Sequence, residues 1–128
     1  MAREELPFGR LLKRRDFQAA AKGKRASTSL LTLQAIAGAE PSAPPRLGLT
    51  ITKKAGGSVE RNRMRRRLRQ AVRQIAPMAA RPGHDYVIVA RRQVLGAEFS
   101  TLLADLDFAF RRVHAAPKDR AERADHVG

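Results

Sequence analysis

Seven arginines fall within thirteen residues, from Arg61 to Arg73, and no acidic residue follows Glu60 in that run. Like charges packed on one helix repel by roughly a few tenths of a kcal/mol per close pair. A solvated helix ordinarily mixes signs, so a run of one sign points to a polyanion as its countercharge. Arginine also presents a planar fork of N–H groups that matches phosphate oxygens. Phosphate binding is therefore the chemistry this stretch is suited to. The spacing supports it. Asn62, Arg66, Arg69 and Arg73 recur at steps of three and four, flanked by Arg63 and Arg65, which puts them on one helix face. Met64, Leu68, Ala71, Val72 and Ile75 recur at the same steps on the opposite, apolar face.

No set of residues in the chain has the spacing of a catalytic site. His84, His114 and His126 lie far apart, without partners at metal-ligand spacing. Asp105 and Asp107 stand two apart on a predicted helix and so point in different directions, unlike a paired acid and base. Ser58 and Thr52 have no base near them in sequence. Gly56-Gly57, just before the arginine helix, can offer backbone N–H groups to a phosphate, but the rest of a nucleotide-binding loop is missing and a turn is the simpler reading. The chain has no cysteine, which excludes disulfides and cysteine metal sites.

The elements that must position these residues follow from periodicity. The arginine helix is expected over 58–76, with Ser58 as N-cap, Glu60 in the first turn, Arg61 where a capping box would need Glu or Gln, and Pro77 as the stop. A short helix is expected over 12–22, ended by Gly23, and strands over 27–37 and 46–53. In the second strand Leu47, Leu49 and Ile51 alternate with Gly48, Thr50 and Thr52, which implies one buried face and one accessible face. Residues 86–90 are apolar on both faces, as in a central strand. Phe99, Leu102, Leu103, Leu106, Phe110 and Val113 mark a last amphipathic helix over 98–113. The fold class is α+β, a small mixed sheet with helices packed on one face.

At 128 residues the chain is long enough for one domain with one core. We assign residues 1–116 to a single RNA-binding domain, with 1–11 as an N-terminal arm, and read 117–128 as a disordered tail. The 26 basic residues against 12 acidic give a net charge of +14, which disfavours self-association and selects an anionic partner. No apolar run approaches membrane-spanning length, and the start lacks an apolar leader segment, so a cytoplasmic location is expected.

The run from Lys53 to Arg69 resembles the "RNR" segment of the protein subunit of bacterial ribonuclease P, the ribonucleoprotein that removes 5′ leaders from precursor tRNA. The resemblance extends to Leu12-Lys13-Arg14-Arg15-Asp16-Phe17, to Arg46-Leu47-Gly48-Leu49-Thr50-Ile51-Thr52 and to Asp85-Tyr86-Val87-Ile88-Val89-Ala90-Arg91. It implies a left-handed strand–helix–strand crossover through the arginine helix, against about 98% right-handed connections in general. It implies catalysis in the RNA subunit, where bound Mg²⁺ acts, with no metal held by protein ligands and no catalytic residue in this chain. The implied partners are that RNA subunit and precursor tRNA, the protein acting as a monomer within the ribonucleoprotein. Position by position, Arg61, Asn62, Arg63, Arg65, Arg66 and Arg69 match the RNA-contacting helix, and Arg73 extends the same face. Lys53, Lys54 and Arg91 match basic positions at the mouth of a cleft for the single-stranded leader. Phe17 matches an aromatic lining that cleft, beside the accessible strand face with Thr50 and Thr52. Two positions often aromatic in the family are Ala21 and Gln34 here. Base stacking therefore has few platforms, and leader binding leans on Arg and Lys.

Three other readings share the charge. A ribosomal or other structured-RNA-binding protein without a role in cleavage would carry the same helix. A major-groove DNA reader would need a helix–turn–helix partner, yet 46–52 reads as a strand. A membrane-surface helix would need a wider apolar face with Trp or Phe.

Overall fold

The computed structural model describes residues 9–11, 13–38 and 40–115. Its five strands are β1 (Gly9–Arg10), β2 (Lys24–Ser27), β3 (Leu31–Ala37), β4 (Arg46–Thr50) and β5 (His84–Ala90). Its helices are α1 (Arg14–Ala21), α2 (Ser58–Ala79) and α3 (Phe99–Val113). The sheet is mixed, in the order β1-β4-β5-β3-β2. β4 and β5 are parallel neighbours joined through α2, and β2, β3 and β5 pair antiparallel.

β5 holds the centre because it is apolar on both faces, and it separates two cores. Tyr86, Ile88 and Ala90 face a large core shared with Met64, Leu68 and Val72 of α2 and with Leu102, Leu106 and Phe110 of α3. Val87 faces a smaller one with Leu11 and Ala20, against which Phe17, Ile36 and Val89 pack. The helices therefore do not share one face as expected: α2 and α3 cover one side, and α1 lies on the other, over β3 and β5. A strand apolar on both sides needs cover on both sides, which is why α1 is there.

Other boundaries also shift. The strand expected over 27–37 is a hairpin, β2 and β3, turned at Thr28, whose Oγ1 accepts hydrogen bonds from the N–H groups of Leu30 (3.1 Å) and Leu31 (3.2 Å). β2 begins Lys-Arg, a charged edge strand that hides the alternation. β4 stops at Thr50, and Lys53–Ala55 form a 3₁₀ turn. α2 has Gly57 as its N-cap and Ser58 as its first residue. Glu60 thus occupies the capping-box position and accepts from the Gly57 N–H at 3.0 Å, the only half of the box a glycine cap allows. Pro77 lies inside the last turn, and the Ala80 N–H still closes on the Ala76 carbonyl at 2.8 Å. A proline there removes one N–H near a helix end, so it costs far less than in the middle. Of the expected N-terminal arm, Gly9 and Arg10 form β1, parallel to β4; the tail over 117–128 lies outside the described residues.

Two histidines that sequence spacing keeps apart meet at the end of the large core. The Tyr86 hydroxyl accepts from the Arg81 N–H at 2.8 Å and lies 2.6 Å from His114 Nε2. The His84 ring meets His114 edge-on, with centroids 5.0 Å apart. Burial, then the charges of Arg81, His84 and Lys24, push the His114 imidazole down to about 4, so it is neutral at pH 7 and its Nε2 accepts a hydrogen bond from the Tyr86 hydroxyl. This is the anchor of the α3 C-terminus.

Candidate nucleic-acid interface

Two basic surfaces emerge, one on each side of the β4–α2 connection. On α2, burial of Met64, Leu68, Ala71 and Val72 fixes which way the helix faces, and this leaves Asn62, Arg63, Arg66, Arg69 and Arg73 exposed. Arg61 and Arg65 are half-buried at the flanks. Arg61 donates from Nε to the Gly56 carbonyl at 3.1 Å, and Arg65 donates to Asn62 Oδ1 at 2.9 Å. That last bond leaves the Asn62 NH₂ as the outward group, a donor suited to phosphate or base oxygens. Arg67 differs from its neighbours. It turns inward and donates to the Ala97 carbonyl, tying α2 to the segment before α3, and its Nε is buried without a partner among the described residues.

The second surface lies on the α1 side of the sheet. Strand register lays three rows across it. Arg46, Asp85 and Ile36 form the first, and Gly48, Val87, Gln34 and Arg25 the second. Thr50, Val89, Thr32 and Ser27 form the third. α1 crosses over the first two. Asp16 approaches Arg46 at 3.7 Å, and Arg46 holds Asp85 through two bonds of 2.9 and 2.7 Å. Phe17 sits on Gly48, where an added Cβ would lie 2.6 Å from the ring's Cζ. Only glycine admits the ring this close to the strand. The third row is left partly open, so α1 and this row bound a groove floored by hydroxyls and one valine.

The groove's far side carries the predicted cations. Arg91 is exposed and donates to Thr32 Oγ1 at 3.2 Å, and Thr32 Oγ1 also lies 2.9 Å from Ser27 Oγ. Thr52, Lys53 and Lys54 are exposed in the segment just past β4. Thr50 and Phe17 are half-buried at the groove itself. With Asp16 turned to Arg46, helical spacing places Ala21 on the opposite flank of α1, toward the open row. Ala21 is exposed, so the missing aromatic there does leave open space. Gln34 is only 8% exposed, in the row that α1 covers, so an aromatic at that position would lie beneath the helix rather than line the groove.

Sequence reasoning missed what joins the two surfaces. Arg92 follows Arg91 at the end of β5 and grips Glu60 of α2 with bonds of 3.2 and 3.0 Å. The same Arg92 donates to the Ala55 carbonyl at 2.6 Å. Gly56, between them, has φ +154° and no room for a Cβ beside Glu60 and Arg92. The pair stabilises both charges: Arg92, then the Gly57 N–H, lowers the Glu60 carboxyl below its usual range, and Glu60 raises Arg92. A lone acid in a basic run was the available signal. Among the described residues, no group of three His, Asp or Glu is placed to hold a metal ion, and no helix is long and apolar enough to cross a membrane.

Comparisons with known proteins show what the chain is similar to. A family model described as Ribonuclease P matches residues 7–114. The ribonuclease P protein component of Caulobacter vibrioides (strain NA1000 / CB15N) is 45% identical over 104 residues, covering 81% of this chain and 70% of its own. That of Paramagnetospirillum magneticum is 45% identical over 119 residues, covering 90% of each. Among solved structures, the Staphylococcus aureus RNase P protein superposes with a TM-score of 0.69 at 22% identity, over 82% of this chain and 94% of that one. The Thermotoga maritima RNase P protein gives 0.66 at 24% identity, over 80% and 96%. These two speak to the fold.

Proposed function

The chain belongs to the bacterial ribonuclease P protein component family, and from that premise we propose that its two basic surfaces bind two different RNAs. As a subunit of ribonuclease P, a ribonucleoprotein endoribonuclease, it acts in tRNA 5′ maturation and partners with the RNase P RNA. The family is Mg²⁺-dependent through its RNA, and what this chain contributes is binding and positioning.

The α2 face with Asn62, Arg63, Arg66, Arg69 and Arg73, flanked by Arg61 and Arg65, takes the phosphate backbone of the RNA subunit. Fixed cations on a rigid helix bind a folded polyanion without reading its sequence. The groove between α1 and the Thr50–Ser27 row takes the single-stranded 5′ leader of precursor tRNA. A single strand fits there because its bases are exposed. One can lie on Phe17, hydroxyls of Thr50 and Thr52 can bond base edges or sugars, and Lys53, Lys54 and Arg91 meet the phosphates. The observation that carries this reading is the hydroxyl row that α1 leaves open beside it, with cations along its far side, on the sheet face opposite the one α2 covers.

The test is cleavage of precursor tRNA by the RNA subunit at low Mg²⁺, with and without this chain. Stimulated 5′ processing is expected, and it is expected to weaken when Arg66 and Arg69 are both replaced by Ala. The double variant should also flatten the salt dependence of RNA-subunit binding by roughly 0.7–0.9 in log–log slope for each phosphate that is no longer neutralised. Unchanged affinity and slope would remove α2 from the RNA-subunit interface.

A further inference from the structure

The groove does not end at Ser27. Building on its assignment to the leader, we propose that the upstream part of a long leader continues over the β2 edge. There it is held by Lys22, Lys24, Arg25 and Arg112, of which only Arg25 stands on a row described above, at its β2 end. These four side chains and Gly23 line an open concavity of about 620 Å³. No carboxylate among the described residues pairs with Lys22, Lys24, Arg25 or Arg112, although Asp107 pairs with neighbouring Arg111 at 2.5 Å. Arg112 instead lies 6.0 Å over the exposed ring of Phe108. Among the described residues the surface is thus a cluster of cations without a paired carboxylate, and a polyanion is the partner it fits.

Direction selects which polyanion. α1 crosses the strands from β4, where Phe17 meets Gly48, toward the β2 side, so the groove it bounds runs across the sheet. From Thr50 to Ser27 the open row crosses four strands, about 14 Å at the usual strand spacing. Beyond Ser27 lies the edge. Alternation along β2 turns Arg25 to the groove face, while Ala26 is buried in the large core and Lys24 shares its side. Arg25 therefore hands a strand leaving the groove to Lys24 and Arg112 around the corner, with Lys22 above at the end of α1. α3 packs over β2 and β3, so it separates this corner from the arginine face of α2. Continuity with the groove, and that separation, favour the leader over the RNA subunit.

The experiment uses the reconstituted ribonucleoprotein and precursor tRNAs with leaders of graded length, up to well beyond what the groove can hold. Lys24→Gln/Arg25→Gln/Arg112→Gln is compared with wild type, and Phe17→Ala is run beside it. Wild-type affinity should keep rising with leader length after the groove is filled. The triple variant should match wild type on short leaders and lose the later rise, with its salt slope on long leaders reduced by roughly 0.7 for each phosphate left without its cation. Phe17→Ala should lose affinity from the shortest leaders that reach the groove. If Phe17→Ala is without effect at every length while the triple variant behaves as expected, the groove assignment fails and the edge site stands alone. If the triple variant binds all lengths like wild type, the edge site is refuted. A loss that is equal for mature tRNA, or that appears as weaker assembly with the RNA subunit, also refutes it and gives the surface to that RNA. Circular dichroism of the triple variant should be unchanged. Should it unfold, Arg25→Gln alone, at an exposed edge position, carries the same length test.

Discussion

Gly48→Ala tests how Phe17 is seated. A methyl group at this position would stand 2.6 Å from Phe17 Cζ, 2.7 Å from Cε2 and 3.1 Å from Leu11 Cβ. Carbon atoms pack best at about 3.5–4.0 Å, so the ring must retreat by about 1 Å. Leu11 is buried and closes one side, which leaves only a swing outward into the groove. Overpacking of this kind costs about 1–3 kcal/mol. Alanine for glycine within a strand returns about 0.5–1 kcal/mol through chain entropy. The net expectation is a loss of about 0.5–2 kcal/mol in urea unfolding. With Phe17→Ala in the background the clash is gone, and Gly48→Ala should become neutral or slightly stabilising. The coupling between the two sites should therefore be about 1–3 kcal/mol. Displacing the ring should also weaken binding of precursor tRNA with a leader while leaving mature tRNA unaffected, since stacking on one aromatic is worth about 1–3 kcal/mol. Additive stabilities in the four-protein cycle would mean that the ring does not rest on Gly48. Equal losses for precursor and mature tRNA would return Phe17 to a purely structural role.

Leu68→Ala should destabilise the protein by about 2–5 kcal/mol, because the side chain is fully buried between α2 and the sheet; a wild-type melting curve would mean the helix faces are reversed. For His114, the unfolded chain takes up a proton near 6.5 and the folded protein near 4, so stability is full above about 6.5 and falls as pH drops through that window. Relative to His114→Gln, wild type should lose on the order of 1–2 kcal/mol between those limits, after allowance for the ring's partial exposure and its cationic neighbours Arg81, His84 and Lys24; parallel pH profiles would refute it. Glu60→Gln should change the melting temperature little, as expected for an exposed ion pair, yet lower leader-dependent affinity even though it removes a negative charge beside RNA. Tighter binding would mean that Glu60 acts only through its charge.

Much of this was legible because periodicity is a local property. The two faces of α2 follow from steps of three and four, and the observed burial of Met64, Leu68 and Val72 repeats them residue by residue. The double-sided β5 was equally plain, and it already demanded cover on both faces; counting helices without asking where that cover came from put all three on one side. β2 was hidden because Lys24 and Arg25 obey the logic of an edge rather than that of a core. The site was legible only as far as residue types go. Ser27 and Thr32 pair within a hairpin, but that Thr50 joins their row depends on the pairing of Thr32 and Thr50 with Val89 of a distant segment, and no local pattern encodes that register. Arg67 illustrates the limit most clearly. Its spacing from Met64 and Ala71 puts it at the edge of the apolar face, but nothing local says that it points inward to the Ala97 carbonyl.

The position of Glu60 links the two surfaces. A carboxylate in the most basic part of the chain weakens the attraction for any polyanion, and as an exposed pair with Arg92 it adds little stability. Its return is geometric. Arg92 continues from β5, whose previous residue, Arg91, reaches the groove through Thr32. The guanidinium of Arg92 holds Glu60 at the start of α2 and the Ala55 carbonyl at the end of the turn that carries Lys53 and Lys54. One residue thus fixes three distances: groove to turn, turn to helix, and helix to sheet. Surfaces that bind two RNAs independently would tolerate play between them. A leader presented to a catalytic RNA does not, because a misplacement of about 1 Å far from the chemistry can cost on the order of a hundredfold in rate. On the proposed assignment, the lone acid among the arginines is the part that sets the leader groove at a fixed position relative to the RNA-binding helix.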